Sequence, residues 1–218
     1  MSAATPREAG TDGRRTQARA RVLDAAAEAF MRGGFGATTI DDIAEEAGAT
    51  KGLVYYHFRS KFDVFLAVYG EGMRRVRTRV EPHATGPGTG RARLSAMSHA
   101  HLMNLMTDLA YHHVVHQGVR AQDSPELRIR QRDALSALNE LRGGYELMFR
   151  EVVVEGIADG SLREVEPALA TRTLLSSLNA VDVWFRRVDA QPESELEELA
   201  GRVVDVLVGG LGAAPSAR

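Results

Sequence analysis

Apolar side chains recur at helical spacing along almost the whole chain, and no stretch alternates apolar and polar residues as a half-buried strand would. The clearest stripe is Val22, Leu23, Ala26 and Phe30, which falls on one face of a predicted helix over 14–32. Gly33 and the glycine after it supply that helix with a stop. At 218 residues, 44% of them hydrophobic, the chain is long enough to bury a core. The pattern predicts an all-α fold.

Breaker residues divide the helical pattern into separate helices. The strongest break is the segment EPHATGPGTG at 81–90. Predicted helices cover 14–32, 40–47, 51–58, 61–80, 91–117, 124–158, 166–187 and 194–208. Ser194 and Glu197 have the spacing of a capping box at the start of the last one. We expect flexible tails at 1–13 and 211–218, a three-helix domain over 14–60 and a larger helical domain over 61–210.

Composition excludes several classes of protein and site. The chain has no cysteine, which rules out disulfides, thiolate metal sites and thiol nucleophiles. Apolar runs are too short for a membrane span, and the N-terminus lacks the apolar core of a signal peptide, so a cytoplasmic protein without a membrane partner is expected. Residues 1–80 carry 13 Lys and Arg against 10 Asp and Glu, whereas the remainder is acidic. A polyanionic partner is therefore expected only at the N-terminal third.

The segment 39–58 has the pattern of a helix-turn-helix. Thr39 and Asp42 have capping-box spacing at the start of the first short helix, and Gly48-Ala49-Thr50 forms the turn before the second. Leu53, with Phe58 as a second candidate, is predicted to face inward, which leaves tyrosines, a lysine and a histidine on the outer face. Exposed aromatic rings of this kind suit a DNA major groove. The alternative is a three-helix subdomain whose aromatic rings pack on the longer helices.

The runs ATTIDDIAEEAG (37–48) and TKGLVYYHFRSK (50–61) resemble the DNA-binding segment of the TetR family of bacterial repressors. The resemblance implies an all-α homodimer that binds a double-stranded DNA operator through its N-terminal helices and a small effector through its C-terminal domain. The DNA-contacting positions that it implies, with Lys61 on a phosphate, are Thr39, Thr50, Lys51, Gly52, Tyr55, Tyr56, His57 and Lys61. Leu53 departs from the small hydroxyl residue frequent in the family.

Methionine and aromatic residues in the second domain predict an adaptable apolar cavity. The alternative is that they fill an ordinary core. The segment from Asn179 through Trp184 and on to Leu211 is similar to the C-terminal pattern of the TetR subgroup that senses acyl-CoA thioesters. Trp184 and the arginines at 186 and 187 suit the binding of an adenine ring and phosphates. The alternative is that Trp184 belongs to a dimer interface. The predicted effector-binding residues are Met97, Met103, Met106, Tyr111, Tyr145, Met148, Trp184, Arg186 and Arg187.

The last two predicted helices have apolar faces wider than one neighbouring helix covers. With the family resemblance, this width favours a two-fold dimer interface over an intramolecular core. The predicted interface residues are Leu174, Leu178, Val181, Phe185, Leu199, Val203 and Leu207.

Asp108, His112 and His116 follow at i, i+4 and i+8, a spacing that a metal could use, although a straight helix spreads them over two turns. A solvated or pocket-lining histidine face is the favoured interpretation.

We predict no catalytic residue, no metal and no cofactor. The predicted function is a ligand-responsive regulator, a repressor released from its operator by a small apolar effector, with an acyl-CoA thioester as the candidate. A helical metal-dependent or histidine-based enzyme is the alternative, and a constitutive architectural DNA-binding protein is disfavoured by the large acidic second domain.

Overall fold

The structure is a computed structural model that describes residues 6–121, 127–188 and 190–210. Within those ranges it is helical and contains no strand, which confirms the predicted all-α fold. The helices are α1 Pro6–Ala37, α2 Ile40–Glu46, α3 Lys51–His57, α4 Lys61–Ala84, α5 Gly90–Thr107, α6 Leu109–Ala121, α7 Ile129–Ala158, α8 Pro167–Asn179, α9 Val181–Trp184 and α10 Glu193–Gly209.

Several boundaries differ from the sequence prediction. α1 begins at Pro6, so residues 6–13 are helical rather than a tail, and Gly34 (φ 71°) interrupts it near the predicted stop. The predicted helix over 91–117 is broken at Asp108, whose backbone is not helical (φ −121°, ψ 41°). α8 ends at Asn179 instead of 187, and the single turn α9 follows it. The predicted tails at 1–5 and 211–218 lie outside the described residues.

The N-terminal caps explain where the later helices begin. Glu166 caps α8, its carboxylate accepting the backbone N–H groups of Ala168 and Leu169 at 3.0 and 2.5 Å, and Pro167 occupies the first turn. α10 begins one residue before Ser194, with Pro192 at its N-cap position, so the predicted Ser194 cap is wrong. The predicted helix over 124–158 begins at Ile129 in the described part of the chain.

The chain divides into two compact units that both draw on discontinuous segments. The first unit comprises 1–72 and 110–138, and the second comprises 73–109 and 139–218. The start of α4, most of α6 and the start of α7 belong to the same unit as the N-terminal helices, whereas the sequence predicts a domain boundary at residue 60.

The core of the first unit forms where α1 meets the short helices and α4. Val22 and Phe30 of α1, Ile43 of α2, Val54 of α3 and Phe65 of α4 are all buried. The Phe30 and Phe65 rings meet edge to face with centroids 5.7 Å apart. Two helices of only seven residues could not persist alone, so this shared core holds α2 and α3 in place.

α6 is attached to α1 within the first unit by two side-chain hydrogen bonds. The Tyr111 hydroxyl donates to Asp24 Oδ1 (2.7 Å), and Gln117 Nε2 donates to the Phe30 carbonyl (3.1 Å). Gly118 lies so close to α4 that a Cβ there would approach the buried Tyr69 ring to 2.7 Å. α6 is therefore part of the packing that supports the N-terminal helices.

The second unit is organised around α5, whose buried side chains face several neighbours. α5 packs against α8, α9 and α10, and its first residue, Gly90, lies directly on Gly156 of α7. The Asp159 carboxylate accepts the Gly90 N–H at 2.7 Å. Hydrogen bonds from Ser161 and Gly90 lower the pKa of Asp159. This junction fixes the start of α5 against the end of α7.

Candidate nucleic-acid interface and effector region

The two short helices are both started by threonine caps. Thr39 Oγ1 accepts the Asp42 N–H (3.2 Å) while Asp42 Oδ2 accepts the Thr39 N–H (2.7 Å), which confirms the predicted capping box. The pKa of Asp42 is lowered, chiefly by the hydrogen bond from the Thr39 backbone. Thr50 Oγ1 accepts the Leu53 N–H (3.3 Å) and caps α3 in the same way. Both helix starts are thereby fixed, and the side chains that follow each cap take defined directions.

The outer face of α3 is rich in aromatic and polar groups. Tyr55 is 50% exposed and Tyr56 is 66% exposed, and Lys51 and Gly52 are exposed beside them. His57, the last residue of α3, is half-buried. These positions share one surface of the first unit. Large exposed rings are unusual on a helix without a partner, so this surface is suited to binding another molecule.

The inner face of α3 differs from the sequence prediction by one residue. Val54 is fully buried and Phe58 is buried, whereas Leu53 is only half-buried. The prediction that Leu53 is the inward-facing residue was therefore wrong, because Val54 is the fully buried one, whereas the burial of Phe58 was predicted correctly. Val54 and Phe58 are four residues apart and share one face, whereas Leu53 lies about 100° from Val54 around the helix axis.

Lys51 already has an anionic partner within the first unit. Its Nζ lies 2.8 Å from Asp41 Oδ2, and this hydrogen bond raises the pKa of the Lys51 ammonium. Both side chains are more than half exposed, so the pair contributes little to stability. An incoming phosphate or base can therefore take the place of Asp41 at small cost.

The Lys61 ammonium is hydrogen-bonded to backbone carbonyls of the first unit. Its Nζ donates to the carbonyl oxygens of Phe35 (2.6 Å), Gly36 (3.2 Å) and Thr38 (2.6 Å), and it lies 4.5 Å from the centroid of the Phe35 ring. A lysine has three donors, and here three acceptors surround them. The chain leaves its helical path at Gly34, and Lys61 neutralises the carbonyls exposed by that break. The phosphate contact that the resemblance implies for Lys61 stays a prediction.

The predicted effector residues fall into three groups in the structure. Met97, Met103, Met106 and Tyr145 are buried in the second unit, with Met148 half-buried on α7. Tyr111 belongs to the first unit, where it donates to Asp24. The third group, beyond α8, comprises Trp184, Arg186 and Arg187, all of them exposed.

The arginines after α9 do not behave alike. Arg186 Nη1 donates to the carbonyls of Asp182 (3.3 Å) and Phe185 (2.7 Å), so it closes the end of α9. Arg187 is exposed, and Trp184 is 54% exposed. Of the two arginines, Arg187 is the better placed to meet a phosphate.

A buried polar network crosses the apolar interior of the second unit. The Tyr145 hydroxyl lies 2.9 Å from His101 Nδ1, and His101 Nε2 lies 3.2 Å from Asn179 Oδ1. The amide oxygen only accepts, so Nε2 carries the proton and Nδ1 accepts from Tyr145. Burial raises the pKa of Tyr145 well above its usual value, so the hydroxyl stays protonated. The sequence did not predict that His101 and Asn179 pair, because they lie 78 residues apart and no local pattern joins them.

The predicted dimer residues separate into core and surface. Leu174, Leu178, Val181 and Phe185 are buried within the single chain and fill the second unit. Leu199, Val203 and Leu207 lie along α10 and are half-buried. The same helices also carry large apolar side chains that are at least 48% exposed, namely Leu169, Val183, Trp184 and Val206.

Asp108, His112 and His116, whose spacing a metal could use on one helix, do not lie on one helix. Asp108 lies at the break between α5 and α6 and pairs with Arg75 at 2.9 Å, whereas His112 and His116 follow on α6. Among the described residues, no group of three or more His, Asp or Glu side chains is arranged to hold a metal ion. In the same part of the chain, no helix is long and apolar enough to cross a membrane.

The geometry of α2, the turn and α3, supported by α1 and α4, is that of a helix-turn-helix regulator of transcription. Residues 22–68 match the bacterial regulatory proteins of the tetR family, and residues 87–211 match the tetracyclin repressor-like C-terminal domain. The chain belongs to the TetR family of transcriptional regulators.

Similar proteins are found along most of the chain. The fatty acid metabolism regulator protein of Bacillus subtilis is 26% identical over 195 residues, which cover 88% of this chain and 94% of that protein. The crystal structure of PfmR from Thermus thermophilus aligns with a TM-score of 0.73 at 26% identity, covering 88% of this chain and all of that one. FadR from Bacillus subtilis, crystallised with stearoyl-CoA, aligns with a TM-score of 0.64 at 22% identity over 88% and 98% of the two chains.

Proposed function

We propose that this regulator is a repressor that binds a near-palindromic operator as a homodimer and is released by an apolar acyl effector. The observation that carries the DNA part is the exposed face of α3, where Tyr55 and Tyr56 lie beside Lys51 on a helix fixed by its cap. The tyrosine hydroxyls and the lysine reach phosphates or base edges, and Gly52 permits close approach. Thr39, Thr50 and His57 border the same surface.

We propose a dimer because α3, the helix proposed to contact bases, is short. An α3 of seven residues contacts only a few base pairs, so a second copy is needed one helical turn of DNA away, about 34–36 Å. For the interface we propose the apolar side chains of α8, α9 and α10 that the single chain leaves exposed. Leu174, Leu178, Val181 and Phe185 support that surface from beneath, because they are already buried.

The DNA proposal is tested by selecting duplexes from a random-sequence library with the full chain and measuring binding by fluorescence anisotropy. We expect a near-palindromic sequence bound by two protomers. Tyr55→Ala with Tyr56→Ala should weaken binding to the selected duplex about 100-fold, since removal of each side chain costs roughly 1–2 kcal/mol of binding. Arg163→Ala, an exposed position in the second unit, is the matched control and should bind normally. Selection of no sequence, or binding of one protomer per duplex, would contradict the proposal.

The effector proposal starts from the second unit. Its interior combines buried methionines with one buried polar network, which is the composition of a site that takes an apolar ligand and orients one polar group. The related fatty acid metabolism regulator and the stearoyl-CoA-bound FadR support an acyl-CoA thioester as the ligand. We place the acyl chain among Met97, Met103, Met106 and Met148. Tyr145 and His101 then face the thioester, and Trp184 and Arg187 face the nucleotide.

Acyl-CoAs of graded chain length, titrated into the complex with the selected duplex, should release DNA at micromolar concentrations, with free fatty acids weaker. Ten-fold to hundred-fold release requires about 1.4–2.8 kcal/mol of coupling between the two ligands. Tyr145→Phe should shift the release midpoint at least fivefold without changing DNA affinity, because it deletes only the buried hydroxyl. Arg163→Ala, the exposed position of the second unit used above, is the control and should keep the wild-type midpoint. Equal release by free fatty acids would argue against the thioester, and an unchanged midpoint in Tyr145→Phe would remove the network from the site.

A further inference from the structure

Two arginines of α1 lie over aromatic rings at the end of the helix that presents Tyr55 and Tyr56. The Arg15 guanidinium carbon lies 5.6 Å from the centroid of the Tyr56 ring, and that of Arg19 lies 5.3 Å from the centroid of Phe58. The two arginines are four residues apart and so share one face of α1. Both are exposed. A guanidinium over an aromatic face is attracted to the ring without using its N–H groups, which stay available to an acceptor.

These arginines differ from the neighbouring cations in having no anionic partner in the part of the chain that the structure describes. Lys51 pairs with Asp41, Arg32 pairs with Glu46, and Lys61 donates to three carbonyls. Arg15 and Arg19 instead make the contacts with Tyr56 and Phe58 described above. Their charge is also felt locally, because burial and these two arginines lower the pKa of His57. Among the residues whose side chains the structure describes, the surface beside Tyr56 is therefore positive.

We infer that Arg15 and Arg19 form a clamp for DNA backbone phosphates that flank the groove read by α3. This inference rests on the proposed function and extends the DNA surface onto α1, to residues that precede the segment 22–68 matched by the tetR family. Tyr56, which belongs to the DNA-facing surface, carries Arg15 on its ring, so the same contact that orients the arginine brings it beside bound DNA. A guanidinium fork binds two phosphate oxygens through charged hydrogen bonds.

The test replaces both arginines, Arg15→Gln with Arg19→Gln, in the full chain. Removing one arginine–phosphate interaction should reduce the slope of log affinity against log salt by about 0.9, so the double variant should have a slope smaller by about 2. At 0.1 M salt we expect binding about 10-fold to 100-fold weaker, by the same factor on the selected duplex and on a random duplex, because phosphates carry no sequence information.

Arg21→Gln is the matched control, since Arg21 is an exposed arginine of α1 without a ring contact among the described residues. It should keep the wild-type slope. A second variant, Arg15→Lys with Arg19→Lys, keeps the charge but loses the stacked fork, and should recover part of the slope. Unfolding midpoints of all variants should stay within a few degrees of wild type, because the replaced side chains are exposed.

Two results would overturn the clamp. One is an unchanged salt slope in the double glutamine variant, and the other is an equal reduction in Arg21→Gln, which would indicate a general charge effect. Failure of the proposed function is seen separately, because a wild-type chain that selects no duplex gives no specific complex at all. A wild type that selects its duplex while the double variant binds with the same slope contradicts only the clamp.

Discussion

Gly90→Ala should destabilise the protein by about 3–5 kcal/mol, because the added methyl group has no space at the junction of α5 and α7. A Cβ at Gly90 would lie 2.3 Å from both Cα and N of Gly156 and 3.0 Å from the Val152 carbonyl. These are backbone atoms, which cannot turn aside as a side chain does. The two helices would have to separate, and the hydrogen bond from Gly90 to Asp159 would be strained with them. Urea unfolding followed by circular dichroism measures the change.

Gly143→Ala is the matched control for that experiment. Gly143 lies within α7, and a Cβ there would meet nothing within 4 Å. The substitution should stabilise the helix by about 0.5–1 kcal/mol, because alanine loses less backbone entropy than glycine. A Gly90→Ala variant that unfolds within about 1 kcal/mol of wild type would show that the junction is looser than the distances indicate.

The parts of the fold that the sequence predicted correctly are those that depend on residues close together in the chain. The capping box of Thr39 and Asp42 and the starts of α2 and α3 depend on residues within four positions of one another. The stop near Gly34 is equally local, since it needs one residue with a positive φ. Such features follow from the chain itself, whatever packs around them.

The features that were mispredicted depend on neighbours far along the chain. Helical spacing identified an apolar side of α3, but the choice of Val54 over Leu53 depends on the position of α1 and α4. The wide apolar stripe from Leu174 to Phe185 has the same pattern whether a second chain or α5 covers it. In the structure α5 packs against α8, and the stripe is buried within one chain. Periodicity identifies which residues are buried but not the chain that buries them.

The site shows the same division between local and distant information. Tyr55 and Tyr56 are exposed where the pattern of α3 placed them. The link from Arg15 to Tyr56 spans 41 positions and the link from His101 to Asn179 spans 78, so no motif contains either pair. The exposed surface of α3 can therefore be predicted from its motif, whereas the side chains that contact or support it are identified only by the structure.

Lys61→Met should lower the stability of the DNA-free protein by about 2–4 kcal/mol, because a charged donor to three backbone carbonyls is removed while its aliphatic stem is kept. The carbonyls of Phe35, Gly36 and Thr38 would lose their common partner where the chain leaves α1. Thr38 directly precedes the cap of α2, so the placement of α2 and α3 should loosen as well. Thermal unfolding without DNA should show a midpoint roughly 5–15 °C lower.

Lys51→Met separates this role from a loss of charge. Lys51 is exposed and its ion pair with Asp41 is a surface pair, so its removal should cost at most about 1 kcal/mol in the free protein. A direct phosphate contact by Lys61, as the family resemblance implies, gives the opposite pattern. The unfolding midpoint of Lys61→Met would then match wild type, and only the salt slope of DNA binding would fall, by about 0.9. A lower midpoint in Lys61→Met alone therefore assigns Lys61 to the support of the DNA-reading helices, because DNA is absent from the measurement.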